Sequence, residues 1–248
     1  MQKTITALLL SLPLISTTTL STTVNDVCKA KENAMALSYQ QQSGEVTALQ
    51  LQTYAFATAR FKQIIQEQHS TEKMAIVLDL DETVIDNTPL LVRDMNNCHD
   101  LNAWDTWSDW EQKGQPRLIP GAKAFLDYVD SQNVKIFYVS DRLQKNKAAT
   151  LNSLKVLELP QVSNDNVLLD TGSKEQRRAS IRQHYDIIML FGDSLADFDA
   201  IFKNKKSTKY QRHLVQQQAE HLGKDWFVLP NASYGTWRNA PLTPWNKK

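Results

Sequence analysis

The chain has no surplus charge of either sign: 28 Lys and Arg stand against 27 Asp and Glu over 248 residues, a formal net charge of +1. That balance argues against a dedicated nucleic-acid binder, which needs excess positive charge to meet phosphates. The local basic run from Lys203 to Lys209 reads as a solvated loop. Long hydrophobic runs are absent past the first segment, so no stable membrane span is expected beyond it. There are no internal repeats and no low-complexity stretch past that segment. Cysteine is scarce, with Cys28 and Cys98 alone. In an oxidising compartment they are allowed to pair, and two free thiols are the alternative. The length suffices for one large domain, or one domain with a small cap, built on its own apolar core.

The first segment has the make-up of a secretory signal peptide, expected over residues 1–23. Met1-Gln2-Lys3 starts positive, Ile5 to Ile15 is apolar, and Ser16 to Thr23 is small and polar. No A-x-A cleavage site stands there, and an uncleaved anchor is the alternative. Asp26-Val27 before Cys28 is a poor context for lipid attachment, so a lipoprotein is not expected. Residues 24–248 are then a single domain in a periplasmic or secreted protein.

Residues from Ala34 to about Gln68 read as a helical extension, broken at Ser43-Gly44, with an apolar stripe of Leu49, Leu51, Tyr54, Ala55, Phe56, Ala59, Phe61, Ile64 and Ile65. Strands then alternate with helices. Strands are expected at 74–80, 134–139, 167–169, 187–191 and 226–229, and helices at 123–132, 146–158, 174–183 and 211–222. Alternation of this kind predicts an α/β fold, a Rossmann-like parallel sheet flanked by helices, with its ligand site at the carboxyl ends of the strands. Residues from about 86 to 115, rich in Asn, Asp and Trp, interrupt the pattern and read as a cap inserted after the first strand.

Those strand ends carry unusual residues. The first apolar run leads straight into Asp79 and Asp81. Two carboxylates close together at the mouth of a sheet are costly unless a cation or a shared proton offsets them. Ser140, with Asp141 and Arg142 beside it, follows the second strand. Lys174 lies in the loop after the third, and Gly192-Asp193-Ser194-Leu195-Ala196-Asp197 follows the fourth.

This order suits phosphoryl transfer through a covalent aspartyl phosphate. A carboxylate nucleophile approaching a dianionic phosphate needs a cation beside both, and Mg²⁺ takes oxygen ligands while keeping several waters. Asp79 is the expected nucleophile and a metal ligand, and Asp193 a second ligand. Asp197 would ligate through water or hold the shell. Asp81 is assigned to the same acidic metal group and is the expected general acid and base. Ser140 would hydrogen-bond a phosphate oxygen, Arg142 would help to bind phosphate, and Lys174 would neutralise developing charge.

With these residues in place, the chain resembles the haloacid-dehalogenase-like hydrolase superfamily. "DLDET" at 79–83 matches the first motif, Ser140 the second, Lys174 the third and "GDSLAD" at 192–197 the fourth. More narrowly it is similar to the class C acid phosphatases, secreted or outer-membrane bacterial enzymes that often act as 5′-nucleotidases. That likeness rests on "VLDLDETVIDN", "PGAKAFLDYV", "IFYVSDR", "LFGDSLADF" and "VLPNASYGTW", with "SGEVTALQLQTY" in the leading helix. It implies the fold, dependence on Mg²⁺ and the aspartyl-phosphate route. Asp141 stands where the family often has Asn. Asp81 argues against the dehalogenase branch, since halide departure needs no general acid, and a P-type ATPase is excluded by size and the lack of spans.

Trp104, Trp107 and Trp110 follow an i, i+3 rhythm in the cap, so a helix would gather them on one side. Such rings either stack on a nucleobase or form the cap's own core. With the family likeness, Trp107, Trp110 and the late Tyr234 are candidate substrate contacts, and Trp237 is drawn in beside Tyr234 near the sheet end. Small phosphomonoesters, nucleoside 5′-monophosphates among them, are the expected substrates. A phosphotransferase on the same residues and a non-catalytic phospho-ligand-binding surface protein are the alternatives. A homodimer through the leading helix is left open.

Overall fold

The sheet is built around a strand that has no exposed side. In the computed structural model, which describes residues 28–68, 70–203, 207–238 and 240–245, β1 (Met74–Leu78) is buried at every position. A run buried on both faces is the mark of a central parallel strand. The expected signal peptide and its cleavage site lie outside the described residues. β1 pairs in parallel with β4 (Lys135–Leu143) on one side and β6 (Asp186–Gly192) on the other. β5 (Val167–Asp170) and β7 (Trp226–Val228) complete the five-stranded order β5-β4-β1-β6-β7. The chain moves outward from β1 through β4 to β5, then crosses back to β6. The crevice at the carboxyl ends of β4, β1 and β6 is therefore the topological switch point.

Helices cover both faces. One face packs against α2 (Gly44–Glu67) and α5 (Ala122–Ser131) through Tyr54, Phe61, Phe125, Phe191 and Phe227. The other gathers Ala75, Val77, Phe137, Ile181 and Trp226, with Ile181 from α7 (Lys174–Arg182) and Leu214 from α8 (Thr208–Gln217). A shorter α6 (Lys147–Val156) buries Leu154 in the first cluster. The break at Ser43 is real: Ser43 ends α1 (Ala34–Gln42) in an extended conformation, and its hydroxyl accepts from Val46 N at the start of α2.

The buried stripe of α2 differs from the one expected. Val46, Gln50, Tyr54, Ala57 and Phe61 face inward, whereas Leu49, Leu51 and Phe56 are exposed. The helix has apolar residues around most of its circumference, so periodicity alone does not pick the face. Tyr54 picks it: its ring meets Phe125 and Phe191, and its hydroxyl donates to Thr83 O at 2.8 Å, in the loop that carries the first acids. The strand expected at 134–139 also runs on to Leu143, so Ser140, Asp141 and Arg142 are strand residues. Leu143 pairs with Asp170 after an irregularity in register, and this polar extension escapes a search for apolar runs. The helix expected at 211–222 starts earlier, capped by Ser207, and stops at Gln217, with a single 3-10 turn following at Ala219–His221.

Between β1 and α5 the chain forms α3 (Thr88–Asn96), α4 (Trp107–Lys113) and a short antiparallel pair, β2 (Ile85–Asp86) with β3 (Arg117–Leu118). Leu37 of α1 joins Leu90, Leu91, Leu101 and Trp107 in a separate small core here. Cys28 and Cys98 form a disulfide across 70 residues of sequence, with Cα atoms 5.3 Å apart. The bond fastens the leading segment to the end of α3. Closing so long a loop restricts the unfolded chain, so Cys98→Ser should lower the stability of the oxidised protein by ~2–4 kcal/mol in denaturant melts. An unchanged midpoint would show that the pairing constrains nothing.

Candidate active site

Parallel strands aim their carboxyl ends the same way, and the polar residues of β1, β4 and β6 meet there. Asp79 directly follows β1, and its backbone N–H continues the ladder to Phe191 O at 3.0 Å. Asp193 directly follows β6. Asp197 closes the next turn, where its carboxylate accepts from Ser194 N at 3.0 Å. The three carboxylates of Asp79, Asp193 and Asp197 each place an oxygen within 4.8 Å of the others. Gly192 makes this approach possible, because a Cβ there would lie 2.3 Å from the Asp197 carboxylate.

Lys174 is the first residue of α7 rather than a loop residue, set by a capping box between Ser173 and Gln176. Its ammonium sits between Asp79 Oδ1 at 2.6 Å and Asp197 Oδ1 at 2.5 Å. The two acids push the lysine well above its ordinary range against the effect of its burial. One lysine does not balance three acids. Burial, followed by the charge of Asp197, drives Asp193 up to about 8. Burial also raises Asp79, with Lys174 opposing and the other acids adding to the rise. A clustered set of oxygen donors short of positive charge fits a hard divalent cation.

Asp81 was expected in the same acidic metal group, but its carboxylate lies outside the cluster formed by Asp79, Asp193 and Asp197. Arg142 holds it instead, with Nε 2.9 Å from Oδ1 and Nη2 2.8 Å from the same oxygen. Asn87 Nδ2 donates to Oδ1 at 2.8 Å and Ser140 Oγ to Oδ2 at 3.1 Å. Four donors fix the orientation of this acid. Ser140 is wholly buried behind it, and its hydroxyl also accepts from Arg142 N. Asp141 pairs with Arg177, whose Nη1 also donates to Ser140 O at 2.6 Å.

A cavity of about 440 Å³ is lined by Asp79, Asp81, Lys174, Asp193 and Asp197 and by Trp104, Trp107 and Tyr234. The three rings form a cluster with centroids 5.3–5.8 Å apart. Trp110 does not line the cavity. Its indole Nε1 donates to Asn87 Oδ1 at 2.8 Å. Trp104 precedes α4 and has a left-handed backbone, so the three tryptophans do not share one helix face.

Several residues of the site carried no role in the sequence reading. Asn87 links Asp81, Arg142 and Trp110. Glu82 is fully buried with a φ of 57°, accepts from Asn87 N and from the Tyr234 hydroxyl, and is pushed up to about 8, chiefly by burial. Asn231 Nδ2 donates to Asp193 Oδ2 at 2.7 Å. Arg178, almost fully buried, donates to Asp197 O at 2.6 Å. Glu82 and Asn87 sit inside the first acidic motif and were within reach of motif reading. Asn231 acts across 38 residues of sequence but lies inside the "VLPNASYGTW" stretch, whereas Arg178 acts across 19 with no local pattern to reveal it.

A family model described as HAD superfamily, subfamily IIIB (acid phosphatase), matches residues 10–237. Among solved structures, the chain is similar to the class C acid phosphatase from Bacillus anthracis, with a TM-score of 0.80 and 32% identity over 86% of this chain and 89% of that one. The crystal structure of the Bacillus anthracis enzyme with tungstate bound is equally similar, at a TM-score of 0.80 and 32% identity over 86% and 90%.

Proposed function

The chain belongs to the acid phosphatase family of HAD subfamily IIIB and is a phosphomonoesterase, and from that premise we propose that it hydrolyses nucleoside 5′-monophosphates with Mg²⁺ through an aspartyl phosphate on Asp79. The observation that carries this reading is the cavity itself, whose lining joins acids and a lysine suited to a phosphate with aromatic rings suited to a base.

Asp79, Asp193 and Asp197 are the residues that would hold Mg²⁺, which when bound offsets the repulsion between the Asp79 carboxylate and a phosphate dianion. In the first step an Asp79 carboxylate oxygen attacks phosphorus, the bond from phosphorus to the alcohol oxygen breaks, and Asp81 gives its proton to the departing alkoxide. In the second, water attacks the same phosphorus, Asp81 takes the water proton, and the phosphorus–Asp79 bond breaks to release phosphate. Lys174, bound to Asp79 in the free enzyme, is placed to meet charge on the transferring group. Arg142 and Asn87 aim Asp81 throughout. Ser140 enters as a support for Asp81, to which its buried hydroxyl donates.

The apolar start of the chain supports export, and among the described residues no helix is long and apolar enough to cross a membrane. A periplasmic or secreted phosphatase acting on small soluble esters is consistent with both.

The nucleobase assignment is tested at Trp104. Trp107 belongs to the small core under α4, so its loss would unsettle the fold, but Trp104 is half-exposed on the cavity wall. Trp104→Ala should lower kcat/KM for adenosine 5′-monophosphate roughly 10-fold, the scale of one base–aromatic stack. Ribose 5-phosphate, which has no base, should lose much less. Equal losses on both esters would remove the nucleobase platform.

A further inference from the structure

Asp193 is aimed by a turn that the sheet does not hold. Asn231 Nδ2 donates to Asp193 Oδ2 at 2.7 Å. The amide of Asn231 is oriented within its own turn, where Oδ1 accepts from Ser233 N at 2.7 Å and from Tyr234 N at 3.4 Å. With the oxygen so engaged, the NH2 group is left to face the acid. The last ladder bond on this strand runs from Leu229 N to Gly192 O at 2.9 Å, and Pro230 has no N–H to continue it.

Gln40 of α1 supplies the hold. Its amide oxygen accepts from Ala232 N at 2.9 Å, and its amide nitrogen donates to Pro230 O at 2.9 Å. One side chain thus grips the backbone on both sides of Asn231, from 190 residues earlier in the chain than Pro230. Gln40 is buried, and it uses donor and acceptor together on this one turn. α1 is itself anchored. Leu37 sits in the small core with Leu90 and Leu91, and the segment before α1 carries the disulfide to Cys98.

We propose that Gln40 is a positioning residue for the cation site, through which the leading helix α1 sets the affinity for Mg²⁺ without touching the ion. This rests on the Mg²⁺ reading above, in which Asp193 is a ligand. Without Gln40 the turn shifts, Asn231 leaves Asp193, and the carboxylate is free to rotate away from Asp79 and Asp197. Groups that orient a ligating carboxylate are worth on the order of 10–100-fold in metal affinity.

The test is a thermal melt at each step of a Mg²⁺ titration at pH 8, which reads affinity from the shift in Tm rather than from turnover. Gln40→Met keeps the length of the side chain but breaks both hydrogen bonds, and should raise the apparent Kd roughly 10-fold. Gln40→Glu, which keeps an acceptor for Ala232 N, should lose less. Gln41→Ala removes the neighbouring bond from α1 to Thr88 Oγ1 and should leave the Kd unchanged. Because Gln40 acts through Asn231, adding Gln40→Met to Asn231→Ala should weaken binding no further than Asn231→Ala alone. A Gln40→Met protein that binds Mg²⁺ as the wild type does overturns the proposal and leaves the phosphatase reading intact. So do equal losses in Gln40→Met and Gln41→Ala, which would mark a general loosening of α1, and losses at Gln40 and Asn231 that multiply. A wild type whose melting does not respond to Mg²⁺ overturns the cation reading and this proposal together.

Discussion

Asp79→Asn should abolish phosphate release, with kcat falling on the order of 10⁴-fold or more, as when the nucleophile of a covalent mechanism is removed. The substitution replaces one carboxylate oxygen with an NH2 group and changes almost nothing in volume. An amide oxygen is too weak a nucleophile to attack phosphorus, and the amide brings no charge to the lysine 2.6 Å away. The fold should survive. Asp79 is buried among acids and raised above its ordinary range by that burial, so its ionised form is a burden on the metal-free protein rather than a support. A thermal melt alongside the activity assay separates lost chemistry from lost structure. A well-folded variant that keeps more than about a hundredth of wild-type activity would sink the covalent route and favour direct attack by water.

Asp81→Asn offers a useful contrast to that expectation. On the proposed route the same exchange at Asp81 would remove the proton carrier, an acid that Arg142, Asn87 and Ser140 hold in place, and leave the nucleophile intact. The two acids are two residues apart in sequence and sit in different surroundings, one among carboxylates and a lysine, the other among donors. Motif order separated the two acids by role, but the different surroundings that each one occupies were not legible from it.

The sequence showed the parallel sheet and the strand ends because both leave local signatures: apolar runs for β1 and β6, and charged residues immediately after them. It hid the last four residues of β4, since Ser140, Asp141 and Arg142 belong to a strand without looking like one. The partner of Asp81 was likewise hidden. Arg142 was legible as a basic residue near the phosphate, but its turn toward Asp81 depends on Asn87, which lies 55 residues earlier in the chain. The tryptophan rhythm misled in a different way. A period of three suggests one helix face, yet α4 begins only at Trp107, and Trp104 bends out of register on a left-handed backbone while Trp110 is captured by Asn87. Spacing describes a helix that exists and cannot say where it starts.

Withdrawing divalent cation should cost stability as well as activity, and the size of the cost should depend on pH. A ligand that binds only the folded state at about 100 times its Kd stabilises by ~2.7 kcal/mol. For a chain of this length that corresponds to a shift of roughly 5–10 °C in Tm. The direction with pH comes from the acids. In the metal-free protein Asp193 is raised from 3.8 to about 8 by burial and by Asp197, and Asp79 is raised as well. Groups raised in the folded state contribute stability that is fully present below their unfolded value and is lost as pH rises through the folded one. The metal-free protein therefore weakens through these acids between about pH 4 and pH 8. A cation takes the place of their protons, so its stabilising effect should be small at pH 5, where protons compete for the same oxygens, and large at pH 8. Melts with Mg²⁺ and with chelator at the two pH values measure this directly. A shift larger at pH 5 than at pH 8 would place the cation elsewhere than on Asp79, Asp193 and Asp197. Loss of the pH 8 shift in Asp193→Asn, with the fold retained, would place it there.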